Sequence, residues 1–374
     1  MIEGLIGKLI GSIFPKTGVT MAINKRILKR LGLGRSKPTD ISLKYPGVLS
    51  ETMEMNSEIL KRLGLRIGHY TDERSLTGTT VFIAEQGADV GIDIRGSYTG
   101  SLNTPAFDPK AFPSLAHGIV LAGGSDYGLE SAFGVMQYLE EKKVEEIPGI
   151  VGGVIYDLEV GNAKIRPTKE DGYSAACSAS FNDLRQGNVG VGTGAITGKW
   201  SGGKKLKGGF GMACVQMPCD ILVSAFVVTN AVGDVINPCT GEFYADGGNY
   251  MQLFEEKDDF IDLREVNNIK PSNTTIAVIA TNVALERSQL TKVAELAHDG
   301  MARAIFPVHT MRDGDMIFAT SSFSSERKKF DNVPVTNLMD VIGIGAGNAL
   351  MKAIKNSMLH AKSIKGYPSY FDHA

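Results

Sequence analysis

The chain has 374 residues, 43% of them hydrophobic, enough to bury a large core as one large domain or two modest ones. Thirty-nine Lys and Arg stand against 41 Asp and Glu, a formal net charge of -2. That balance provides neither the basic footprint of a nucleic-acid binder nor an overall attraction to anionic lipid, so a small or neutral substrate is the expected partner.

The N-terminal stretch has an apolar rhythm but no basic leader joined to an uninterrupted hydrophobic run and a cleavage site, and no segment reaches the roughly 18 apolar residues of a membrane helix. A cytoplasmic location is expected. Residues 1–65 read as an arm containing a near-duplicate, Ile27-Leu-Lys-Arg-Leu-Gly-Leu33 and Ile59-Leu-Lys-Arg-Leu-Gly-Leu65. Each copy sets Ile, Leu and Leu at helical spacing around Lys-Arg, which predicts short amphipathic helices ended by Gly32 and Gly64. Two copies are too few for a solenoid, and an arm docked on its own body or on a neighbouring subunit is the expectation.

From residue 66 the pattern becomes Gly-punctuated strands and helices. Thr79-Thr-Val-Phe-Ile-Ala84 and Ile119-Val-Leu-Ala122 read as strands, the second running through Gly123-Gly-Ser-Asp-Tyr-Gly128 into a helical pattern over 129–139. Glycine then dominates at Gly187-Asn-Val-Gly-Val-Gly-Thr-Gly194, Gly198-Lys-Trp-Ser-Gly-Gly203 and Gly208-Gly-Phe-Gly211. These stretches suit tight turns and binding loops, but neither phosphate-loop nor dinucleotide spacing follows. Cys177, Cys214, Cys219 and Cys239 have no metal-ligand spacing and read as reduced, buried thiols.

A strand over 221–228 is followed, after a turn-rich stretch, by a strongly polar segment from Glu255 to Asn273 that reads as an exposed linker. Immediately behind it Thr274-Thr-Ile-Ala-Val-Ile-Ala-Thr281 is β-branched and apolar, the signature of a buried central strand. Leu290, Val293, Ala294, Ala297, Met301 and Ile305 recur at helical spacing, the loop 308–315 leads to a strand over 316–319, and residues 338–359 read as a long final helix.

An exposed linker entering a buried strand at Asn-Thr-Thr suits a self-processed N-terminal nucleophile. A hydroxyl on the first strand residue can attack the preceding carbonyl, and water then frees an α-amine. With an ordinary pKa of about 7.7 to 8.0, that amine can act as base for its own hydroxyl, without metal or cofactor. His298 and His309, near Asp299 and Asp313, tempt towards a Ser/His/Asp triad, but no GxSxG elbow is present.

At this junction the chain resembles the DmpA-like peptidases, a family that includes β-aminopeptidases and hydrolases of nylon oligomers. Seven motifs carry the resemblance in order across roughly residues 66–360: Arg66-Ile-Gly-His69, Gly91-Ile-Asp-Ile-Arg-Gly96, Leu121-Ala-Gly-Gly-Ser-Asp-Tyr-Gly128, Val154-Ile-Tyr-Asp-Leu158, Gly190-Val-Gly-Thr-Gly194, Asn230-Ala-Val-Gly-Asp234 and Asn273-Thr-Thr-Ile-Ala277. The resemblance implies an α/β fold, an αββα sandwich, cut between Asn273 and Thr274 within a hydrolase domain spanning 66–374. It also implies a homo-oligomer of processed heterodimers. Thr274 corresponds to the nucleophile of the nylon-oligomer branch, and the Asp313-Gly-Asp315 pair favours that branch. Asn230 corresponds to the oxyanion donor and Lys199 to the active-site lysine, while either Tyr156 or Tyr173 lines the cleft. The implied activity is hydrolysis of short aliphatic amides such as 6-aminohexanoate oligomers; a β-aminopeptidase or an acyltransferase of the same fold is the alternative.

Overall fold

The computed structural model describes residues 50–200, 205–247, 273–324 and 327–373. The first repeat copy and most of the acidic linker lie outside these residues. In chain order the elements that matter here are β1 (Glu51–Met53), α1 (Ser57–Leu63), β2 (Arg66–Asp72), β3 (Thr77–Ile94), β4 (Ser101–Leu102), β5 (Ala116–Ala122), α2 (Ser131–Glu141), β6 (Ile150–Val154) and α3 (Lys169–Ser178). They continue with β7 (Ile196–Thr197), β8 (Leu206–Lys207), β9 (Phe210–Met217), β10 (Ile221–Asn230), β11 (Thr274–Thr281), α4 (Arg287–Ala302), β12 (Met316–Ser322) and α5 (Val335–Leu359).

Hydrogen bonding joins the strands in the order β1-β9-β10-β11-β12-β3-β5-β6-β4, with β2 added along β3. β3 makes this continuous ladder into two sheets. Its first half pairs with β2 and β5, its second half pairs with β12, and the register breaks between Ile83 and Ala88.

Side-chain alternation then assigns each face. Ile276 and Val278 of β11, Phe226 and Val228 of β10, and Met316 and Phe318 of β12 meet Phe82, Ile119, Leu121 and Val151 in one buried cluster between the sheets. The alternate residues, Ala277, Ile279, Ala225, Val227, Ile317 and Ala319, pack against Leu290, Val293 and Ala297 of α4 and Ala346, Leu350 and Ala353 of α5. On the far side Val81, Ile83 and Val120 pack against Val135 and Leu139 of α2 and Ala175 and Ala176 of α3. The layers are therefore helix, sheet, sheet, helix, the expected αββα sandwich.

The second repeat copy forms α1, capped by the Asn56 side chain on Ile59 N–H and ended at Gly64 with φ 65. Ile59, Leu60, Leu63 and Leu65 are buried in the inter-sheet cluster. The compact unit begins at Ser50, earlier than the boundary at residue 66 read from the sequence, because this copy's apolar face is part of the core.

The cysteine expectation is corrected. Cys214 alone is buried; Cys177, Cys219 and Cys239 are exposed, Cys177 on α3 and Cys219 in the tight turn joining β9 to β10. The glycine-rich stretch 190–194 is a fully buried single turn. Among the described residues no helix is long and apolar enough to cross a membrane.

Candidate active site

β11 opens on Thr274, and every residue of the strand is buried. Its parity puts Thr274 on the inter-sheet side with Ile276 and Val278, while Thr275 points with Ala277 towards the helices. The antiparallel ladder sets Asn230, the last residue of β10, directly opposite Thr274.

The scissile carbonyl expected from the sequence, Asn273 O, is approached from two sides. Thr274 Oγ1 lies 2.5 Å from it and donates to it, and Gly314 N–H donates to it at 2.8 Å. Gly314 is where a side chain cannot be carried: a methyl group there would sit 2.5 Å from Tyr98 O and 2.8 Å from Thr274 Oγ1. The wall residues Ser97, Tyr98, Thr99, Ser125, Asp126 and Tyr156 surround Asn273 and Thr274 in a cleft of about 310 Å³.

Asn230 is completely buried and its amide is fixed at both ends. Nδ2 donates to Tyr156 O at 3.1 Å, while Oδ1 accepts from Ile196 N–H at 3.0 Å and from Lys199 Nζ at 3.2 Å. Lys199 Nζ also donates to Asn230 O at 3.3 Å. Loss of water around the ammonium pulls the Lys199 pKa down to about 7, a shift that the Asp313 carboxylate opposes.

The acidic pair flanks Gly314 and supports the nucleophile strand from behind the cleft. Asp315 Oδ1 accepts from Thr275 N–H at 2.7 Å, and its Oδ2 accepts from His309 N–H at 3.1 Å and pairs with His309 Nδ1 at 2.8 Å. Asp313 bridges to Asn273 along the backbone, and its carboxylate accepts from Val232 N–H, Thr310 N–H and the Thr310 hydroxyl. Burial, and then the adjacent Asp315, push the Asp313 pKa up from 3.8 to about 6.

The structure thus brings Thr274, Asn273 and Tyr156 to one cleft, with Asn230 opposite Thr274, Lys199 bonded to Asn230, and Asp313 and Asp315 braced on the adjoining turn. Tyr173 stands elsewhere, in the outer helical layer, where its hydroxyl donates to Glu141 Oε2 at 2.6 Å. The residues that sequence reading passed over are Gly314, whose backbone N–H is the donor, and His309, which it weighed only as a triad member. His298, fully buried on α4, interacts with Asp93 and lies edge-on to His309 at 4.7 Å.

Comparison with known proteins bears on the family and the fold. A family model described as peptidase family S58 matches residues 60–370. An uncharacterized aminopeptidase of Mycobacterium tuberculosis (strain ATCC 25618 / H37Rv) is 35% identical over 333 residues, covering 82% of this chain and 95% of its own. A 6-aminohexanoate-oligomer endohydrolase of Paenarthrobacter ureafaciens is 31% identical over 270 residues, covering 68% and 71%. Among solved structures, a Burkholderia sp. β-aminopeptidase superposes with a TM-score of 0.60 at 18% identity over 86% of this chain and 91% of its own. The L-aminopeptidase D-Ala-esterase/amidase of Ochrobactrum anthropi, described as a variant of the Ntn hydrolase fold, gives 0.61 at 17% identity over 85% and 90%. At these identities the two structures speak to the fold.

Proposed function

Because the chain belongs to peptidase family S58 and is an amide hydrolase, we propose that Thr274 is its nucleophile, freed as an N-terminus when the chain breaks its own Asn273–Thr274 bond. The observation that carries this reading is the pair of donors, Thr274 Oγ1 and Gly314 N–H, converging on the single carbonyl of Asn273.

In self-processing, rotation of Thr274 brings Oγ1 onto the Asn273 carbonyl carbon. The C–O bond forms as the hydroxyl proton leaves, and the carbonyl oxygen gains negative charge next to Gly314 N–H. Collapse breaks the C–N bond and leaves an ester; the Thr274 nitrogen takes up a proton and becomes an amine. Water cleaves the ester, giving a carboxylate on Asn273 and restoring the hydroxyl. The new amine emerges beside Thr275 N–H, which Asp315 already holds, so that carboxylate is placed to orient its ammonium form. In turnover the neutral amine removes the hydroxyl proton, Thr274 Oγ1 attacks the substrate amide, and the proton passes to the departing amine. The free Asn230 amide hydrogen, with Lys199 behind it, serves the substrate oxyanion.

Short aliphatic amides such as 6-aminohexanoate oligomers fit this reading, supported by the 31% identical endohydrolase. An aminopeptidase is the second reading. It draws on the 35% identical relatives that carry that name, and on the Asp126 carboxylate of the cleft wall, where a free substrate amine would find a partner. Chromatography of the products from a linear 6-aminohexanoate oligomer separates the two: internal cuts give mixed shorter oligomers, whereas an aminopeptidase releases monomer from one end. Turnover by a Thr274→Ala chain would remove the nucleophile from both readings.

A further inference from the structure

Two ionisable side chains are buried near the site without lining its cleft. Lys207 on β8 is 0% exposed and Asp157 is 3% exposed. Lys207 Nζ donates to Gly192 O at 2.8 Å, Ala195 O at 3.0 Å and Gly208 O at 2.7 Å. Asp157 accepts at 2.7 Å from both the Thr77 hydroxyl and Gly124 N–H. The buried turn 190–194 passes between them: a methyl group on Gly194 would sit 2.6 Å from the Asp157 carboxylate, and Lys207 holds the carbonyls of Gly192 and Ala195 on either side of it. Each charge is felt by the other, opposing the loss of ionisation that burial imposes on both. Such a pair is a costly way to stabilise a core compared with apolar side chains of similar volume, so its value lies in what it orients.

Both groups lead to Asn230. Ala195, whose carbonyl Lys207 holds, precedes Ile196, whose N–H donates to Asn230 Oδ1. Asp157 follows Tyr156, whose carbonyl accepts from Asn230 Nδ2. The two ends of a carboxamide have nearly the same shape, so partners alone decide which end faces the reacting carbonyl. We propose that Lys207 and Asp157 are positioning residues, a buried brace on either side of Asn230 that fixes the orientation of its amide towards the oxyanion. Neither touches a reacting atom. Asp157 has a further effect, because Gly124 begins the turn that places Ser125 and Asp126 on the cleft wall. The role of Asn230 in this proposal rests on the reading of the site given above.

Full-length Lys207→Met and Asp157→Asn chains, assayed on a linear 6-aminohexanoate oligomer, are compared with Leu290→Ala, a core truncation on α4 in the layer between sheet and helices. Lys207→Met is expected to lower kcat about 10- to 100-fold with little change in KM, as befits a misaimed oxyanion donor. Asp157→Asn is expected to lower kcat and also raise KM, and the double variant to fall no further than the worse single. Leu290→Ala lowers the melting temperature and leaves kcat near the parent value. Crystal structures of the same chains give a readout independent of turnover: in Lys207→Met, Asn230 Oδ1 leaves Ile196 N–H. An unmoved Asn230 amide in both variants, or kcat tracking melting temperature alike in all three, overturns the brace. A parent chain that is inactive while the Asn230 amide still moves in Lys207→Met defeats the reading of the site and leaves the brace intact.

Discussion

Thr274 and Thr275 are neighbours in the chain but sit on opposite faces of β11. Composition cannot separate them, whereas alternation gives Thr274 the cleft side and Thr275 the side of α4 and α5. Thr274→Ala should therefore abolish self-cleavage and turnover together, and Thr274→Ser should retain both at reduced rate, because the hydroxyl survives while its rotamer is less restricted. Thr275→Ala should still cleave, losing about 1 kcal/mol of stability in a urea titration. A processed, active Thr274→Ala chain would reverse the assignment. Asp313 makes a different statement. Its folded pKa lies near 6, above the ordinary 3.8, so the native state holds this proton more tightly than the unfolded chain does. The resulting stability is present at low pH and is lost as pH rises through about 6. In the uncleavable Thr274→Ala background, the stability difference relative to Thr274→Ala/Asp313→Asn should shift against the aspartate by on the order of 2 kcal/mol between about pH 4 and about pH 7. Equilibrium unfolding at several pH values checks it, and a flat difference means Asp313 is ionised throughout. At this scale the structure places close together residues that the sequence singled out beside the family motifs: Thr274, Asn230, Lys199 and the acidic pair. Gly314 was not singled out, because a backbone N–H leaves no trace in sequence beyond the glycine itself. Lys207 looks like an ordinary surface charge until the fold buries it, and Asp157, though inside a family motif, shows its partners only once the fold is formed.

The elements were legible where period and length agree. β11, β10, α4 and α5 fall within a few residues of the expected bounds because their apolar patterns run uninterrupted. β3 was read only over its apolar run 79–84, since beyond the register break its residues alternate with Gly91 and the charged Asp89 and Asp93. The strand nevertheless continues, and it carries the chain from one sheet to the other. The compact unit starts ahead of residue 66 for a related reason. The repeat copy in α1 has the amphipathic look of a surface helix, yet Ile59, Leu60, Leu63 and Leu65 fill the inter-sheet core. Chains beginning at residue 50 and at residue 66 compare the body with and without α1. Removing residues 1–65 should destabilise the body severely, since each large apolar side chain withdrawn forfeits about 1.5–3 kcal/mol of burial. Thermal melts of the two truncations test this; equal melts would return α1 to the arm.

At the scale of the whole molecule, the sandwich brings the two strand ends at Asn230 and Thr274 side by side and sets the Asp313–Asp315 turn against them. β11 and β12 lie parallel in the same sheet, and β10 and β11 pair along eight residues from Asn230↔Thr274 to Val223↔Thr281. A chain cut before Thr274 therefore keeps its two pieces joined through the sheet, so cleavage need not separate them under native conditions. The most direct measurement is the mass of the purified full-length protein under denaturing conditions, with N-terminal sequencing of the smaller species. Two chains, residues 1–273 and residues 274–374, the second beginning Thr-Thr-Ile-Ala-Val, are the expected result. A single intact chain of 374 residues with full amide-hydrolase activity would contradict it.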